Sequence, residues 1–198
     1  MVVATLRPGF HKLVFEFMEN DIRRELWHFE RTEAAVAKGE DPGPYSGAGN
    51  LLAALGLLCY TEVLGSFISG RKGNGWSKAN FLWGYRKLGP EYRALMDTGE
   101  KLDVYAVYRC GLAHEYLAKE PAIYAMQLKP GAPLRCAIGR QSQGVLYFAV
   151  RQYLDDLMAV AQRIYDHPTL GEPIDSGKRA TDTEITGAAT SGEDDGLL

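Results

Sequence analysis

The sequence predicts a mainly α protein, a helical bundle of about five to six helices with a small β-hairpin insertion before the last helix. Three observations carry that prediction. Apolar residues recur at steps of three and four through most of the first 120 positions and again after about Tyr147, the period of helices packed by one face. Gly- and Pro-containing joints such as Gly39-Glu40-Asp41-Pro42-Gly43-Pro44 and Gly89-Pro90 interrupt that period. Between Pro121 and Gly139 the period is lost, and short runs rich in branched and aromatic residues replace it. A length of 198 residues with 46% hydrophobic content suits one globular domain with a real core.

Residues 1–10 read as a short extended lead, punctuated by Pro8-Gly9. From about Leu13 to Ala37 the spacing is helical. Val14, Phe17, Met18, Ile22, Leu26 and Phe29 mark the side facing the core, and Glu16, Glu19, Asp21, Arg23, Arg24, Glu25 and Glu30 mark the wet side. The proline-rich joint that follows cannot continue a helix. His11 and His28 are not at ligand spacing and read as surface or partly buried histidines.

Residues 48–69 form the most apolar helix, suited to a bundle centre or a subunit interface. Its uninterrupted run, Leu51 to Tyr60, is too short to span a bilayer, which needs about 20 residues. Glu62 breaks the run. Either it sits at the helix edge bonded to a tyrosine or an arginine, or it lies in a cleft holding Arg109 or His114. The loop Gly70-Arg71-Lys72-Gly73-Asn74-Gly75 approaches a phosphate-binding loop, but Trp76 stands where the lysine must be and a helix precedes it, so that reading fails. What remains is a basic interhelix turn able to touch an RNA backbone. Ser77 then caps a helix to about Leu88, with Phe81, Leu82 and Tyr85 inward. Pro90 opens a short helix that Thr98-Gly99 closes.

The central helix is expected over Asp103–Lys119, with Tyr105, Tyr108, Leu112 and Tyr116 as one apolar-aromatic stripe and Arg109 and His114 off it. After Pro121, residues 122–128 and 133–139 read as the two strands of a hairpin, with a second turn at Gln141–Gly144. Val145–Val150 fits a third strand or the first turns of the last helix equally well. That helix carries Val150, Tyr153, Leu154, Leu157, Met158, Ala161 and Ile164, and stops before Pro168. Residues 169–198 are expected to be a disordered acidic tail on a domain spanning 1–168, because they have almost nothing to bury. After Leu170 come seven acidic residues against Lys178 and Arg179, which leaves the body slightly basic within a net charge of −3. Such a body permits nucleic-acid contact without demanding it. Cys59, Cys110 and Cys136 are odd in number and lack a Cys-x-x-Cys pair. They point to reduced thiols and a cytoplasmic setting, with no metal site and no cofactor expected. No signal peptide or membrane anchor is read in the sequence.

Arg109, four residues, then His114 on a helix resembles the Arg-x4–6-His signature of the HEPN superfamily (higher eukaryotes and prokaryotes nucleotide-binding). Leu112-Ala113-His114 fits the small apolar run that often precedes the family histidine. The position after the arginine, usually polar in the family, is Cys110 here. The motif covers six residues, and the helical layout extends the likeness over about residues 10–168. The resemblance implies a small helical bundle, a homodimer with two Arg–His pairs across one cleft, and in many members metal-independent RNase activity. His114 would move a proton and Arg109 would hold the phosphate. Tyr116, Arg71 and Lys72 are candidates for substrate contact, and Glu62, Cys110 and Glu115 for support. RNA and an antitoxin-like protein are the partners implied. The alternative is a non-catalytic helical dimer module that binds a protein partner, a nucleotide or RNA. In that case Arg109 pairs with Asp103 or Glu115, and His114 bonds a carbonyl in the core.

Overall fold

The structure, a computed structural model, describes residues 9–43, 49–71, 73–97, 101–127, 136–141 and 144–166. The lead at 1–8, the helix stop at Thr98-Gly99, the first half of the 133–139 run and the acidic tail lie outside the described residues. Within them the protein is mainly helical, with one small sheet before the last helix.

Helix α1 has a π-wound part, Lys12–Met18, that runs into regular α-helix, Glu19–Ala37. Val14, Met18, Ile22 and Leu26 are buried as their spacing predicts. Phe17 is not: it is exposed, with the Lys12 ammonium 5.8 Å from its ring. The wider π winding turns less per residue, so the phase read from a 3.6-residue period slips within this segment.

Helix α2, Asn50–Ser69, buries Ala53, Ala54, Leu57, Leu58, Leu64 and Ile68. Its 20 residues also make it, among the described residues, the one helix long and apolar enough to cross a bilayer. It lies instead along α3, Ser77–Lys87, in the most extensive helix pairing of the fold. The pairing is close because of two glycines. A Cβ on Gly65 would stand 1.7 Å from the Asn80 carbonyl oxygen, and one on Gly84 2.2 Å from that of Thr61. No side chain fits either position, so backbone lies directly on backbone. Beside this crossing, the Thr61 hydroxyl donates to the Leu57 carbonyl (2.9 Å) and pairs with the Tyr153 hydroxyl (2.8 Å).

Helix α4, Pro90–Asp97, starts at its proline as expected. Its buried Tyr92 donates to the Asp156 carboxylate and accepts from the Ala137 N–H (3.2 Å), tying α4 to the sheet and the last helix. Helix α5 joins a π-wound part, Tyr105–Cys110, to a short α-helical part, Gly111–Glu115. Strands β1 (Ala122–Ala125), β2 (Ile138–Arg140) and β3 (Leu146–Ala149) follow, and α6 is Val150–Asp166.

The sheet corrects the expected hairpin. Strand order is β1-β3-β2, with β1 parallel and β2 antiparallel to β3, so 122–125 and 138–140 do not pair with each other. The hairpin is one strand further on. It joins β2 to β3 through the turn where the Gln141 N–H meets the Val145 carbonyl (2.8 Å) and Gly144 takes φ 83°. Segment 145–150 thus supplies both a strand and the start of α6. All four β3 residues are buried, and a strand covered on both faces shows no alternation by which to tell it from a helix.

Candidate functional site

Arg109 lies in the π-wound part of α5, on the side turned to α2 and α3. Its neighbours on the chain are the reason: Tyr108 and Leu112 are buried, Tyr108 donating to the Tyr147 carbonyl (3.0 Å), and they anchor α5 to the sheet. The Arg109 Nη2 meets Glu62 Oε2 at 3.1 Å. Arg109 does not pair with Asp103 or Glu115, since Asp103 meets Lys78 (3.3 Å) and Glu115 meets Lys119 (3.8 Å), whereas Glu62 does bond an arginine, as both readings of it allowed. The other Glu62 oxygen accepts from the Ser77 hydroxyl (2.6 Å), and Ser77 accepts from the Tyr105 hydroxyl (3.1 Å). A continuous chain, Tyr105 to Ser77 to Glu62 to Arg109, therefore links three helices.

The pair is partly sheltered, with side-chain exposures of 20% for Arg109 and 22% for Glu62. Burial works against the guanidinium charge, but its anionic surroundings, the Glu62 carboxylate among them, outweigh it and hold Arg109 above its ordinary range. Cys59 is pushed up by burial, less the opposing pull of Arg109, so its thiol stays protonated. Arg109 Nε is buried and has no hydrogen-bond partner. The arginine is thus permanently charged, fixed at one end by a carboxylate, with donor capacity left over.

His114 is exposed near the end of α5, which removes the core-histidine alternative. No hydrogen bond or ion pair joins it to a described residue, and the structure does not place it against Arg109. Helix α5 ends at Glu115, short of the expected Lys119. The next residue, Tyr116, adopts a left-handed conformation (φ 59°), leaves the aromatic stripe and is 52% exposed. Gly111 permits this reversal: a Cβ there would stand 2.5 Å from the Leu117 carbonyl oxygen, so the returning chain lies on the helix. The Lys119 N–H then bonds the Val107 carbonyl (3.2 Å). Cys110 is half-buried and unpaired.

The loop after α2 holds Arg71, whose guanidinium stacks over the Trp76 ring at 4.1 Å; Lys72 lies outside the described residues. Ser77 is the first residue of α3 and does not cap it, because its hydroxyl goes to Glu62 instead. Sequence reasoning missed Ser77 and Tyr105 as members of the site. A serine ahead of a helix carries a strong capping signal that hides any other use, and Tyr105 fitted the core stripe. Among the described residues no three His, Cys, Asp or Glu side chains converge as a metal would need.

Comparison with protein-family models, with curated proteins and with solved structures gives no match for this chain. The site therefore stands on its own geometry. It offers a fixed cation with free donors, an adjacent hydroxyl chain, and an exposed imidazole five residues along the same helix.

Proposed function

We propose that this protein is a HEPN-like, metal-independent endoribonuclease acting as a homodimer. The observation that carries the reading is the Glu62–Arg109 pair. A carboxylate on α2 holds the guanidinium of the Arg-x4-His helix, partly sheltered and with donors to spare, while His114 stands in solvent further along that helix. RNA brings its own nucleophile, the 2′-hydroxyl. His114 takes or gives the proton at that oxygen or at the leaving 5′-oxygen, and Arg109 stabilises the crowded phosphate. The products are a 2′,3′-cyclic phosphate and a 5′-hydroxyl. A second copy supplies a second pair across the cleft, on a two-fold interface. Tyr108 and Leu112 are buried within one chain, so that interface draws on other residues, such as the exposed Leu52 and Leu117. No disulfide joins Cys59, Cys110 and Cys136, which supports a reducing, cytoplasmic setting.

A second reading has its own observation. Arg109 already has a carboxylate partner, and Cys110 stands in the family's polar position. Both favour a non-catalytic module in which the Glu62–Arg109 pair braces the bundle and an antitoxin-like protein or a nucleotide occupies the surface.

Purified protein incubated with a mixed RNA pool in EDTA decides between them. The nuclease reading expects cleavage with cyclic-phosphate ends. It also expects a loss of about 10²–10⁴-fold in His114→Ala and a comparable failure of Arg109→Lys, whose point charge cannot reproduce the planar fork. No cleavage by the wild type, full cleavage by His114→Ala, or activity abolished by EDTA would defeat the nuclease reading, and the first alone would leave the module.

A further inference from the structure

Trp76 lies beside the network just described and takes no part in it. Its ring is 38% exposed, and the Arg71 guanidinium covers it at 4.1 Å. An exposed tryptophan stacked by an arginine is common on surfaces; here the backbone of that arginine is held on both sides. Gly70 takes φ 68°, closes α2 and donates to the Ser66 carbonyl (2.9 Å). The Ser69 hydroxyl accepts from the Arg71 N–H (3.1 Å) and donates to Asn80 Oδ1 (2.7 Å). Asn80 is buried, and its Nδ2 donates to the Arg71 carbonyl (3.2 Å). Both backbone groups of Arg71 are thereby clamped by side chains of α2 and α3, and a buried asparagine is committed to holding a surface arginine in place.

The same surface continues toward Arg109. Trp76 is followed by Ser77, which bonds Glu62 and Tyr105, and then by Lys78, whose ammonium lies 5.9 Å from the Tyr105 ring. Arg109 lies 5.9 Å from that same ring. Two cation–ring groups thus stand next to each other along the chain, Arg71 on Trp76, and Lys78 and Arg109 about Tyr105, with Ser77 between them. Asp103 and Glu62 answer two of those charges, and Arg71, half-buried, has no carboxylate partner among the described residues. Proteins that hold single-stranded nucleic acid use this combination, cations for phosphates and π faces for bases.

We propose that Trp76 and Arg71 form a stacking subsite for an unpaired base of RNA, one or a few nucleotides from the phosphate held at Arg109. The subsite names a substrate class, single-stranded over duplex RNA. It rests on the RNA reading of the Arg109 site, though not on cleavage.

A fluorescein-labelled 12-mer oligo(U), titrated with full-length protein in EDTA, tests it by anisotropy, with a 12-bp RNA duplex as comparison. The expected result is tighter binding to the single strand. Trp76→Ala should weaken it by about tenfold, as base stacking on one aromatic commonly does, and Trp76→Phe should retain most of it. Arg71→Ala should lower the salt slope by about one unit. Unchanged circular dichroism in each variant guards against misfolding. Equal binding by Trp76→Ala and wild type, equal binding to duplex, or no binding at all would overturn the subsite. Trp76-dependent binding without cleavage would retain it and defeat only the nuclease.

Discussion

Helices α2 and α3 make two very different contacts a few residues apart. At Gly65 and Gly84 the backbones touch, and Thr61 and Asn80 are buried beside them. At Glu62 and Ser77 the same two helices leave room for a carboxylate, a hydroxyl and the Arg109 guanidinium, all partly reached by water. The closed contact has no freedom left, so any added atom there must push the helices apart. The open contact is held by hydrogen bonds whose partners can be exchanged for a ligand's. The difference teaches that the rigid crossing fixes the geometry of the polar network next to it, one contact closed to any ligand and the other still open to solvent.

Alkali should break the buried core behind both contacts most completely. Burial pushes the Tyr85, Tyr92, Tyr108 and Tyr153 phenols well above their ordinary range, and hydrogen bonding of Tyr92 to Asp156 adds to its shift. A pKa raised on folding means the folded state keeps a proton that the unfolded state gives up. Stability is therefore full below about pH 10, the unfolded value, and falls as pH climbs toward the folded values. Each such phenol costs about 1.4 kcal/mol per pH unit once the unfolded chain ionises. Four together exhaust an ordinary 5–15 kcal/mol within a few units. Melting followed by circular dichroism from pH 8 to 12 should show a flat region and then a steep loss. A flat profile to pH 12 would mean that these rings are not buried as neutral phenols.

Gly65→Ala and Gly84→Ala attack the closed contact itself by one methyl each. The intruded atom is backbone, which cannot rotate away, so each should cost about 3 kcal/mol or more. For a chain this size that is a fall in Tm of roughly 6–12 °C. Gly56→Ala, on the same helix but 3.3 Å from the flexible end of Ile22, is the control and should cost far less. Equal effects at all three positions would show that helix glycines, and not the crossing, set the loss.

These residues also mark what could be read from sequence. The six helices were legible because each buries one face at a regular period, and Pro90 opens α4 by its own fixed φ. Strand order was not, because β1 and β3 are brought together by burial between residues more than 20 positions apart. Arg109 and His114 were legible as a motif, and Glu62 as an odd charge in an apolar helix. The choice of Arg109 as the Glu62 partner needed the α2–α3 crossing, and the signal for that crossing was two mid-helix glycines. A glycine there costs about 1 kcal/mol against alanine, so its presence calls for a close neighbour. The end of α5 at Tyr116 carried no local signal, since a tyrosine is a poor choice for a left-handed turn.

On the open side, Glu62→Ala removes partners from both Arg109 and Ser77. The groups are only partly exposed, so a loss of about 1–2 kcal/mol is expected, a drop in Tm of roughly 2–8 °C. A double-mutant cycle with Arg109→Ala should give a favourable coupling of about 1 kcal/mol. Zero coupling would mean that the pair contributes nothing to the fold. The bracing reading would then lose its footing, and Arg109 would be left free for ligand.

The smallest effect separates the two sides most sharply. Tyr116 holds a left-handed backbone that costs a non-glycine residue about 1–2 kcal/mol, and its ring is half in solvent, with no hydrogen bond or ion pair to a described residue. Tyr116→Gly should relieve that strain. The added freedom of the unfolded chain returns part of the gain, so a net stabilisation of about 0.5–1 kcal/mol is expected, a rise in Tm of roughly 1–4 °C. Strained residues kept at a surface tend to serve a site, and Tyr116 follows His114 by two positions. If its ring contacts RNA, the more stable variant should bind oligo(U) less well. Tyr116→Phe, which keeps ring and strain alike, should bind nearly as well as wild type. A Tyr116→Gly protein that gains stability and loses no binding would make the turn a tolerated cost of the reversal at Gly111 and confine the proposed RNA contacts to α2, α3 and Arg109.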